Sequence, residues 1–502
     1  MNSRKGVRAT ASILLCGLGV WLALPNPYRE RNYRIDAGGC QLETTIVEKK
    51  EGVTRGAVVL FHGISANRKI MSYLARGFAQ QGLRVYVPDF PGHGRTPGPF
   101  SPARAEHCGE SLVRELLGRG MISPERTIIA GHSMGGAVAL RIASRVSAAG
   151  VIAISPAPMR AAHGVSPEML VFNNPPPLPP HSLIISGSLE PESMRGNAAD
   201  LLASRKDDTA KYLVIPRASH VGILFRAATL VASRDWAAQV LHIPMTSEFP
   251  SHGPLIGSLM GFVGLLLIAG PFLQEVAGKR ELEKIPAAGT GMPIRRLLLE
   301  FAAGSMVAVA ILRLWIPLRV SRLFQGDYLA SFLLLLGALL LAVHWKSAGL
   351  AFNGAPRLWI AAAFAGMALF LLITAWLDLT FYEAWLTPAK WARFPLLAAG
   401  LLPYHFAEET LLGPVRPEEK WRRLAAALSL RSIAWGGLMW GVLFLHSGEI
   451  LMGLLAFYFA VFHIVQRRGM DIVHYKTGSA GAAAVFGAIL LAGFCLVIFP
   501  IT

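Results

Sequence analysis

The chain has 502 residues, of which 53% are hydrophobic and only 16% are charged, and its formal net charge is +17. Soluble domains carry about 25% charged residues, so this composition excludes a protein that is exposed to water throughout. The positive charge does not indicate a nucleic-acid partner, because most of it lies in short loops between apolar segments. Such loops are typical of the cytoplasmic side of membrane proteins.

An apolar run at residues 10–24 follows a short basic segment. A cleaved signal peptide starts in the same way but ends in small residues, whereas this run ends in the letters LPNP. We therefore expect residues 1–25 to form an uncleaved membrane anchor.

Residues 26–250 have the composition of a soluble domain, in which short apolar runs alternate with segments of helical length. The apolar runs are residues 57–62, 83–88, 127–131, 151–155, 182–186 and 211–215. The helical segments are residues 68–81, 101–118, 134–148 and 192–205. This alternation predicts an α/β domain whose mostly parallel sheet is covered by helices on both faces. Active sites on such sheets lie at the carboxyl ends of the strands.

The third apolar run ends in the sequence GHSMGG, which places a G-x-S-x-G pattern at Gly131 to Gly135. Between a strand and a helix, this pattern forms a sharp turn in which the serine hydroxyl stands above the sheet and only glycine fits beside it. A glycine-rich helix start that is capped by a serine is the alternative. We favour the sharp turn, with Ser133 as a nucleophile.

A serine hydroxyl needs a base that takes its proton. On this kind of sheet, the acid and then the histidine follow the nucleophile along the chain. The histidines between Ser133 and the apolar second half are His163, His181, His220, His242 and His252. His220 is preferred because it follows the last apolar run, which would bring its ring back over the strand ends.

The acid is expected in the loop after the run at residues 182–186, where the sequence ISGSLEP contains Glu190. Its carboxylate can orient an imidazole and stabilise the imidazole cation. Asp200 and Asp207 are weaker candidates, because they lie on or near the following helix. The alternative for Glu190 is a solvent-exposed residue that opens that helix.

A tetrahedral acyl-transfer intermediate needs backbone N–H donors for its oxyanion. We expect one donor from Met134, directly after the nucleophile, and the other from Ile64, in the loop after the first apolar run. His62 lies in the same loop and is predicted to shape the turn rather than act as a second base.

The sequences LFHGISANR, VPDFPGHGRT, GHSMGG, ISGSLEP and PRASH resemble, in this order, the motifs of the α/β-hydrolase superfamily. The resemblance is greatest to its serine aminopeptidase and monoacylglycerol-lipase-like branch and covers about residues 40–240. It implies an esterase, lipase, thioesterase or peptidase that transfers an acyl group to serine, without a cofactor and without a metal.

The chain departs from that branch in two respects. The usual acid is Asp, whereas this chain has Glu190. Lipase-like members also carry a helical cap, but the segment between the fourth and fifth apolar runs has only about 25 residues and contains a proline-rich stretch at residues 173–180. Proline interrupts helices, so we expect an open pocket and do not transfer lipase specificity.

Two of the four cysteines, Cys40 and Cys108, lie in the predicted α/β domain. They would be able to pair in an oxidising compartment. Spacing does not fix pairing, and free thiols are the preferred expectation.

Residues 251–502 consist mainly of apolar runs of about the length that crosses a bilayer as a helix. They predict a transmembrane bundle of about eight spans. The spans are residues 254–272, 296–316, 328–345, 357–379, 394–412, 432–446, 448–465 and 478–500.

The distribution of Lys and Arg predicts the orientation. If the N-terminus lies inside, the inside loops hold Lys279, Arg280, Lys284, Arg295, Arg296, Lys346, Arg357, Arg416, Lys420, Arg422, Arg423, Arg431, Arg467, Arg468 and Lys476. The outside loops hold only Arg319, Arg322, Lys390 and Arg393. The predicted α/β domain would then lie on the outer face of the cell membrane, which is the periplasmic face in a Gram-negative bacterium.

The fifth span contains Glu408 and Glu409, with His405 one turn earlier. Ionisable groups at membrane depth often have a function. The stretch weakly resembles the intramembrane CAAX-protease and bacteriocin-processing family, but Gly413 stands where that family has Arg. The two later histidines, His446 and His463, do not complete the set of metal ligands that this family uses. The alternative is that both glutamates lie near the membrane boundary and are partly hydrated.

Together, these features predict a membrane-embedded serine hydrolase that cleaves an ester, thioester or amide of a small-molecule or lipid-like acyl substrate. One alternative is a transport or degenerate intramembrane-protease module with the α/β domain as an accessory. Another is a catalytically inactive scaffold that binds a partner protein.

Overall fold

The computed structural model describes residues 2–23, 27–157, 178–205, 209–276, 292–314, 321–351, 356–445 and 451–502. The chain divides into two compact units. The sheet unit comprises Trp21–Ser258, Leu377–Trp385 and Pro500–Thr502. The helical unit comprises Met1–Val20, Leu259–Trp376 and Leu386–Phe499. Two short segments from the second half of the sequence therefore belong to the sheet unit.

The first helix, α1 (Asn2–Ala23), contributes most of its length to the helical unit. The Ser12 hydroxyl donates a hydrogen bond to the carbonyl oxygen of Gly264 at 2.6 Å. A Cβ on Gly264 would lie 2.8 Å from the Cys16 sulfur. The glycine thus allows α1 to approach its neighbour closely.

Eight strands form one sheet in the sheet unit. They are β1 (Tyr28–Ala37), β2 (Cys40–Lys49), β3 (Gly56–Phe61), β4 (Leu83–Pro88), β5 (Thr127–His132), β6 (Gly150–Ile154), β7 (Ser182–Gly187) and β8 (Ala210–Ile215). Their order across the sheet is β1-β2-β4-β3-β5-β6-β7-β8. Strand β2 is antiparallel to β1 and β4, and the pairs from β4 through β8 are parallel.

The predicted fold class is confirmed, since the six apolar runs coincide with β3 to β8 to within one residue at either end. Every residue of β5, β6 and β7 is buried. Strands covered by helices on both faces are apolar along their whole length, which explains why these strands could be predicted from the sequence. The β1–β2 hairpin was not predicted, because most residues of β1 are exposed and its sequence is polar.

In the described residues of the sheet unit, five α-helices accompany these strands. They are α2 (Ser72–Gln80), α3 (Pro102–Gly118), α4 (Met134–Ala143), α5 (Glu192–Ala203) and α6 (Ala227–Leu241). The four predicted helical segments contain α2 to α5, and α6 was not predicted. All four segments are longer than the helices. The difference is largest for α4, which ends five residues before the predicted end, and for α2, which is preceded by a short 3-10 turn at Arg68–Met71.

A disulfide joins Cys40 to Cys108, with 5.7 Å between their Cα atoms. The expectation of free thiols was therefore wrong. The cause is the unpredicted hairpin, whose turn packs against α3, where the His107 ring lies 3.1 Å from the carbonyl oxygen of Gly38. The start of β2 is thereby brought to the helix that carries Cys108.

The helical unit continues with nine further helices in the described part of the chain. They are α7 (Gly253–Val276), α8 (Ile294–Leu314), α9 (Gly326–Val343), α10 (Trp345–Ala351), α11 (Pro356–Thr380), α12 (Pro388–Leu412), α13 (Lys420–Phe444), α14 (Leu451–Thr477) and α15 (Ala480–Ile498). Within the described ranges, six of them are long and apolar enough to cross a membrane, namely α7, α8, α9, α11, α13 and α15. The remaining two predicted spans coincide with α12 and α14, which carry buried charged side chains.

Three of the arginines that were assigned to inside loops are instead buried within helices. Arg423 and Arg431 are buried on α13, and Arg467 is buried on α14. The loop assignment was wrong because the sequence does not show that carboxylates from other helices face these positions.

Candidate functional site

Ser133 occupies a sharp turn between β5 and α4. Its backbone has φ 55° and ψ −120°, a left-handed conformation that residues other than glycine rarely adopt. A Cβ on Gly131 would lie 2.1 Å from the carbonyl oxygen of Gly135, and one on Gly135 would lie 2.5 Å from that of His62. Backbone therefore fills the space beside both glycines, and the turn holds the serine in one strained conformation.

The structure brings the three predicted catalytic side chains together. The His220 Nε2 atom lies 3.0 Å from the Ser133 hydroxyl oxygen. The Nδ1 atom of the same ring lies 2.7 Å from Glu190 Oε1. The second oxygen, Glu190 Oε2, accepts a hydrogen bond from the N–H of Gly187 at 3.1 Å. Glu190 and His220 are both buried.

These contacts determine what the imidazole can do. A carboxylate at Nδ1 favours the tautomer with its proton on Nδ1, which leaves the Nε2 lone pair of His220 directed at the Ser133 hydroxyl. The hydroxyl can then donate its proton to Nε2, and the buried Glu190 can stabilise the imidazolium that forms.

Two adjacent loops at the carboxyl edge of the sheet carry the predicted acid and the predicted base. Glu190 follows β7 and His220 follows β8. The loops are packed together, since the N–H of Leu189 donates to the carbonyl oxygen of Ala218 at 3.1 Å and a Cβ on Gly187 would lie 2.2 Å from the same oxygen. Glycine at position 187 thus allows the acid loop to reach the base loop.

The predicted oxyanion donors belong to two segments that adjoin Ser133. Met134 is the first residue of α4, where backbone N–H groups have no partner within the helix. The Ile64 turn follows β3, and a Cβ on Gly63 would lie 2.9 Å from the Ser133 Cβ. Ser65 continues that turn at φ 58°, so the segment passes close to the nucleophile in a strained conformation.

His62 has the surroundings expected of a structural residue. Its ring is fully buried, with Nδ1 2.8 Å from the carbonyl oxygen of Gly63. Its Nε2 accepts a hydrogen bond from the N–H of Phe90 at 3.0 Å. Burial lowers the pKa of His62 to about 4. The neutral ring therefore connects the loops that follow β3 and β4.

His132, for which no role was predicted from the sequence, directly precedes Ser133. Its Nε2 atom lies 2.8 Å from the carbonyl oxygen of His220, and the two rings are 4.9 Å apart. Burial lowers the pKa of His132 to about 3, and the nearby His220 adds to this effect. A neutral His132 can donate to the backbone of the base, and its position within G-x-S-x-G was the available signal.

The other candidates lie elsewhere or outside the described residues. His181 directly precedes β7, and His242 follows α6. The ring of His252 packs on Tyr73 at 4.6 Å. Asp200 is exposed on α5. His163, Asp207 and the proline-rich stretch through residue 177 lie outside the described residues, as does His446.

The acidic pair in the helical unit is not hydrated. Glu408 and Glu409 are each 0% exposed, so the partly hydrated alternative was wrong. Arg431 forms a bidentate pair with Glu408 at 2.7 and 2.8 Å. Arg423 lies 2.8 Å from Glu409, and Arg467 contacts both glutamates.

Asp471 completes this charge cluster. It accepts from Arg467 at 2.8 Å and from Arg423 at 3.0 Å. Three carboxylates thus face three guanidinium groups, and bidentate pairing of this kind stabilises buried carboxylates. In the described part of the chain, no group of three or more His, Cys, Asp and Glu residues has a spacing suited to a metal ion.

Part of this chain is similar in sequence to known proteins. Residues 52–211 match the sequence model of the family described as serine aminopeptidase, S33. Esterase YjfP of Escherichia coli (strain K12) is 32% identical over 98 residues, which is 18% of this chain and 39% of the esterase. The matched region thus spans about two fifths of that relative's length.

Two solved structures are similar to part of this chain. An alpha-beta serine hydrolase homologue from Coxiella burnetii is 18% identical, covers 42% of this chain and 96% of its own, and has a TM-score of 0.33. An esterase from Pyrobaculum calidifontis is 18% identical, covers 47% and 92%, and has a TM-score of 0.36. The N-terminal region of this chain has a mostly parallel eight-stranded sheet of the α/β-hydrolase type, and residues 52–211 are similar to the serine aminopeptidase S33 family.

Proposed function

We propose that this protein is a serine hydrolase that forms an acyl-enzyme on Ser133, with His220 as the base and Glu190 as the acid. The observation that carries the proposal is the unbroken chain of contacts from the hydroxyl to Nε2 at 3.0 Å and from Nδ1 to the carboxylate at 2.7 Å. The strained backbone of Ser133 supports it, because such strain is typical of a nucleophile held in a reactive position.

In the proposed mechanism, Ser133 Oγ attacks the acyl carbon while its proton passes to His220 Nε2. The carbonyl oxygen becomes negative and accepts hydrogen bonds from the N–H groups of Met134 and Ile64. His220 then protonates the leaving group. A water molecule, deprotonated by His220, attacks the acyl-enzyme and releases the carboxylic acid and the free serine.

We propose a small-molecule or lipid-like carboxylic ester as the substrate, with thioesters and amides as the alternatives. The named relative, an esterase, supports esters as the first class to test. The absence of a metal or a cofactor from the proposed steps is consistent with triad chemistry, in which the protein supplies the nucleophile, the base and the oxyanion donors.

The purified full-length chain tests this proposal with p-nitrophenyl esters of increasing acyl length. Ser133→Ala should reduce hydrolysis by at least about a thousandfold, because the hydroxyl that forms the acyl-enzyme is removed. Ser144→Ala is the matched control, since Ser144 follows α4 and its hydroxyl donates only to the Arg141 carbonyl oxygen. Equal hydrolysis by wild type and Ser133→Ala would exclude the proposed nucleophile.

We also propose that the sheet unit lies on the outer face of a membrane. Alternation from an inside N-terminus through the predicted spans leaves residues 26–253, the loop at 380–393 and the C-terminus outside. Segments from these three parts, Trp21–Ser258, Leu377–Trp385 and Pro500–Thr502, make up the sheet unit, which supports the alternation. The disulfide further supports an oxidising compartment.

Single reporter cysteines test the orientation in intact spheroplasts. A membrane-impermeant maleimide should label Glu51→Cys, on the exposed turn after β2, without permeabilisation. It should label Arg422→Cys, near the start of α13, only after permeabilisation, although that side chain is 87% exposed. The reverse pattern would place the sheet unit in the cytoplasm.

The charge cluster argues against the intramembrane-protease alternative. Glu408 and Glu409 would need free oxygen atoms to bind a metal, but both are engaged by arginines at 3.2 Å or less. We therefore assign this cluster to the stability of the helical unit, where buried charges are retained when they are paired.

A further inference from the structure

A segment far from the nucleophile in sequence packs on the turn that carries the Ile64 donor. The segment is Leu377–Trp385, which connects α11 to α12 and belongs to the sheet unit. We refer to it as the clamp segment, and to Gly63–Lys69 as the oxyanion turn. Sequence analysis assigned no role to the clamp segment.

Hydrogen bonds join the clamp segment directly to the backbone and side chains of the oxyanion turn. The Tyr382 hydroxyl donates to the carbonyl oxygen of Ser65 at 2.9 Å. The Asn67 side-chain amide donates to the carbonyl oxygen of Glu383 at 3.3 Å. Both partners in the turn lie within three residues of the Ile64 donor.

An ion-pair network strengthens this contact. Arg68 donates to Glu383 Oε1 at 2.9 Å with one nitrogen and to Asp89 Oδ2 at 2.8 Å with another. Its backbone N–H also donates to Asp89 Oδ1 at 2.7 Å. Arg95 lies 2.8 Å from Glu383. Glu383 therefore connects the turns that follow β3 and β4.

These contacts are buried. Arg68 is 4% exposed, Asp89 is 0% exposed and Glu383 is 3% exposed. A charged hydrogen bond removed from water is stronger than one at the surface. If Glu383 were absent, a guanidinium nitrogen of Arg68 would lose its partner in a buried site, which is costly.

The oxyanion turn needs such support because it is strained. Ser65 has φ 58°, and a strained conformation of this kind persists only where the surrounding structure enforces it. The bond from Tyr382 restrains the carbonyl group of this same residue. Catalytic donors must be held within about 0.5 Å of the productive geometry, so a restraint beside Ile64 acts where accuracy is needed.

We propose that Tyr382 and Glu383 are positioning residues, which hold the oxyanion turn so that the Ile64 N–H faces the oxyanion formed at Ser133. The inference rests on the proposed hydrolase function. It implies that the oxyanion site is completed by residues that follow Ser133 by almost 250 positions and directly follow a candidate membrane span.

The test uses Tyr382→Phe and Glu383→Ala in the full-length chain. Each variant should lower kcat for a p-nitrophenyl ester about tenfold and leave KM within about twofold, because the lost contact acts on the transition state. The affinity for a trifluoromethyl ketone, which forms an oxyanion adduct with the serine, should fall in parallel with kcat. Rates are expressed per active site titrated with a fluorophosphonate.

Matched controls remove the same groups elsewhere. Tyr33→Phe changes an exposed tyrosine on β1, and Glu110→Ala removes a carboxylate that pairs with Arg114 on the surface of α3. Both should retain wild-type kcat and inhibitor affinity. Tyr382→Phe loses one hydroxyl and keeps its ring, so it remains informative if Glu383→Ala fails to fold.

Each outcome decides between positioning and another role. Unchanged kcat and inhibitor affinity per titrated site in Tyr382→Phe would overturn the inference, as would a loss of titratable sites with normal kcat in those that remain, which would indicate folding alone. If wild type hydrolyses no ester and is not labelled, the hydrolase proposal fails. If wild type and Ser133→Ala behave as proposed while Tyr382→Phe equals wild type, only the positioning role fails.

Discussion

His132 Nε2 lies 2.8 Å from the carbonyl oxygen of His220, so the residue before the proposed nucleophile contacts the backbone of the proposed base. The Nδ1 atom of the His220 ring contacts the carboxylate of Glu190. The imidazole of His220 is thus restrained through its ring on one side and through its backbone on the other.

Removal of the His132 contact should loosen the base. His132→Leu deletes the donor, and we expect kcat to fall about tenfold because the His220 ring no longer has a fixed approach to Ser133. His132→Gln retains an N–H near the Nε2 position and should keep most of the activity. Ester hydrolysis at saturating substrate measures both, and equal activity of the two variants would show that the contact has no catalytic effect.

Glu190 should act through its charge as well as its shape. Glu190→Gln keeps the side-chain length but removes the negative charge that stabilises the His220 imidazolium. We expect kcat to fall by about three orders of magnitude. Glu192→Gln is the control, because Glu192 lies on the exposed first turn of α5. Similar rates for the two variants would indicate that Glu190 is not the acid.

The turn at the nucleophile should not tolerate a side chain at position 131. Gly131→Ala places a methyl group where 2.1 Å separates it from a backbone oxygen, so the turn must shift. We expect activity to fall by at least about a hundredfold. Gly118→Ala is matched to it, since a Cβ at Gly118, the last residue of α3, meets no atom within 4 Å. Activity and thermal midpoint should be near wild type in the control, and a fully active Gly131→Ala would contradict the turn geometry.

The buried His62 makes stability depend on pH in a defined direction. Its pKa is lowered from 6.5 to about 4 by burial, so the unfolded chain binds the proton first as the pH falls. The neutral His62 ring therefore contributes about 3 kcal/mol to the free energy of unfolding. This contribution is fully present above pH 6.5 and is lost as the pH falls through about 4.

Chemical denaturation at several pH values measures this dependence. Between pH 6.5 and 4, wild type should lose about 3 kcal/mol more than His62→Gln, which has no titrating ring. His107→Gln, on the surface of α3, should follow wild type. Parallel curves for wild type and His62→Gln would show that burial does not hold His62 neutral.

What could be predicted from the sequence depended on how local the cause was. The turn at Ser133 could be predicted from the sequence, because the glycines that it requires lie close to the serine in the chain. Glu190 and His220 could be predicted from their positions after β7 and β8, since parallel strands end at a common edge of the sheet. The structure brings these three residues together, and their catalytic roles remain predictions.

Contacts between distant segments could not be predicted in this way. No local pattern connects Glu383 to Arg68 or Arg431 to Glu408, because each pair joins elements whose packing depends on the whole fold. The disulfide was missed for the same reason. The polar strand β1 lacked the apolar run that identified the buried strands, because it lies at the exposed edge of the sheet.

The most direct test of Ser133 as the nucleophile is to identify the residue that reacts covalently with a fluorophosphonate. Purified full-length protein is incubated with the reagent, digested and analysed by mass spectrometry. We predict a stoichiometric adduct on Ser133, formed far more slowly in His220→Ala, since the His220 ring contacts the Ser133 hydroxyl at 3.0 Å. An unmodified Ser133, an adduct on another serine, or an equal rate in His220→Ala would contradict it.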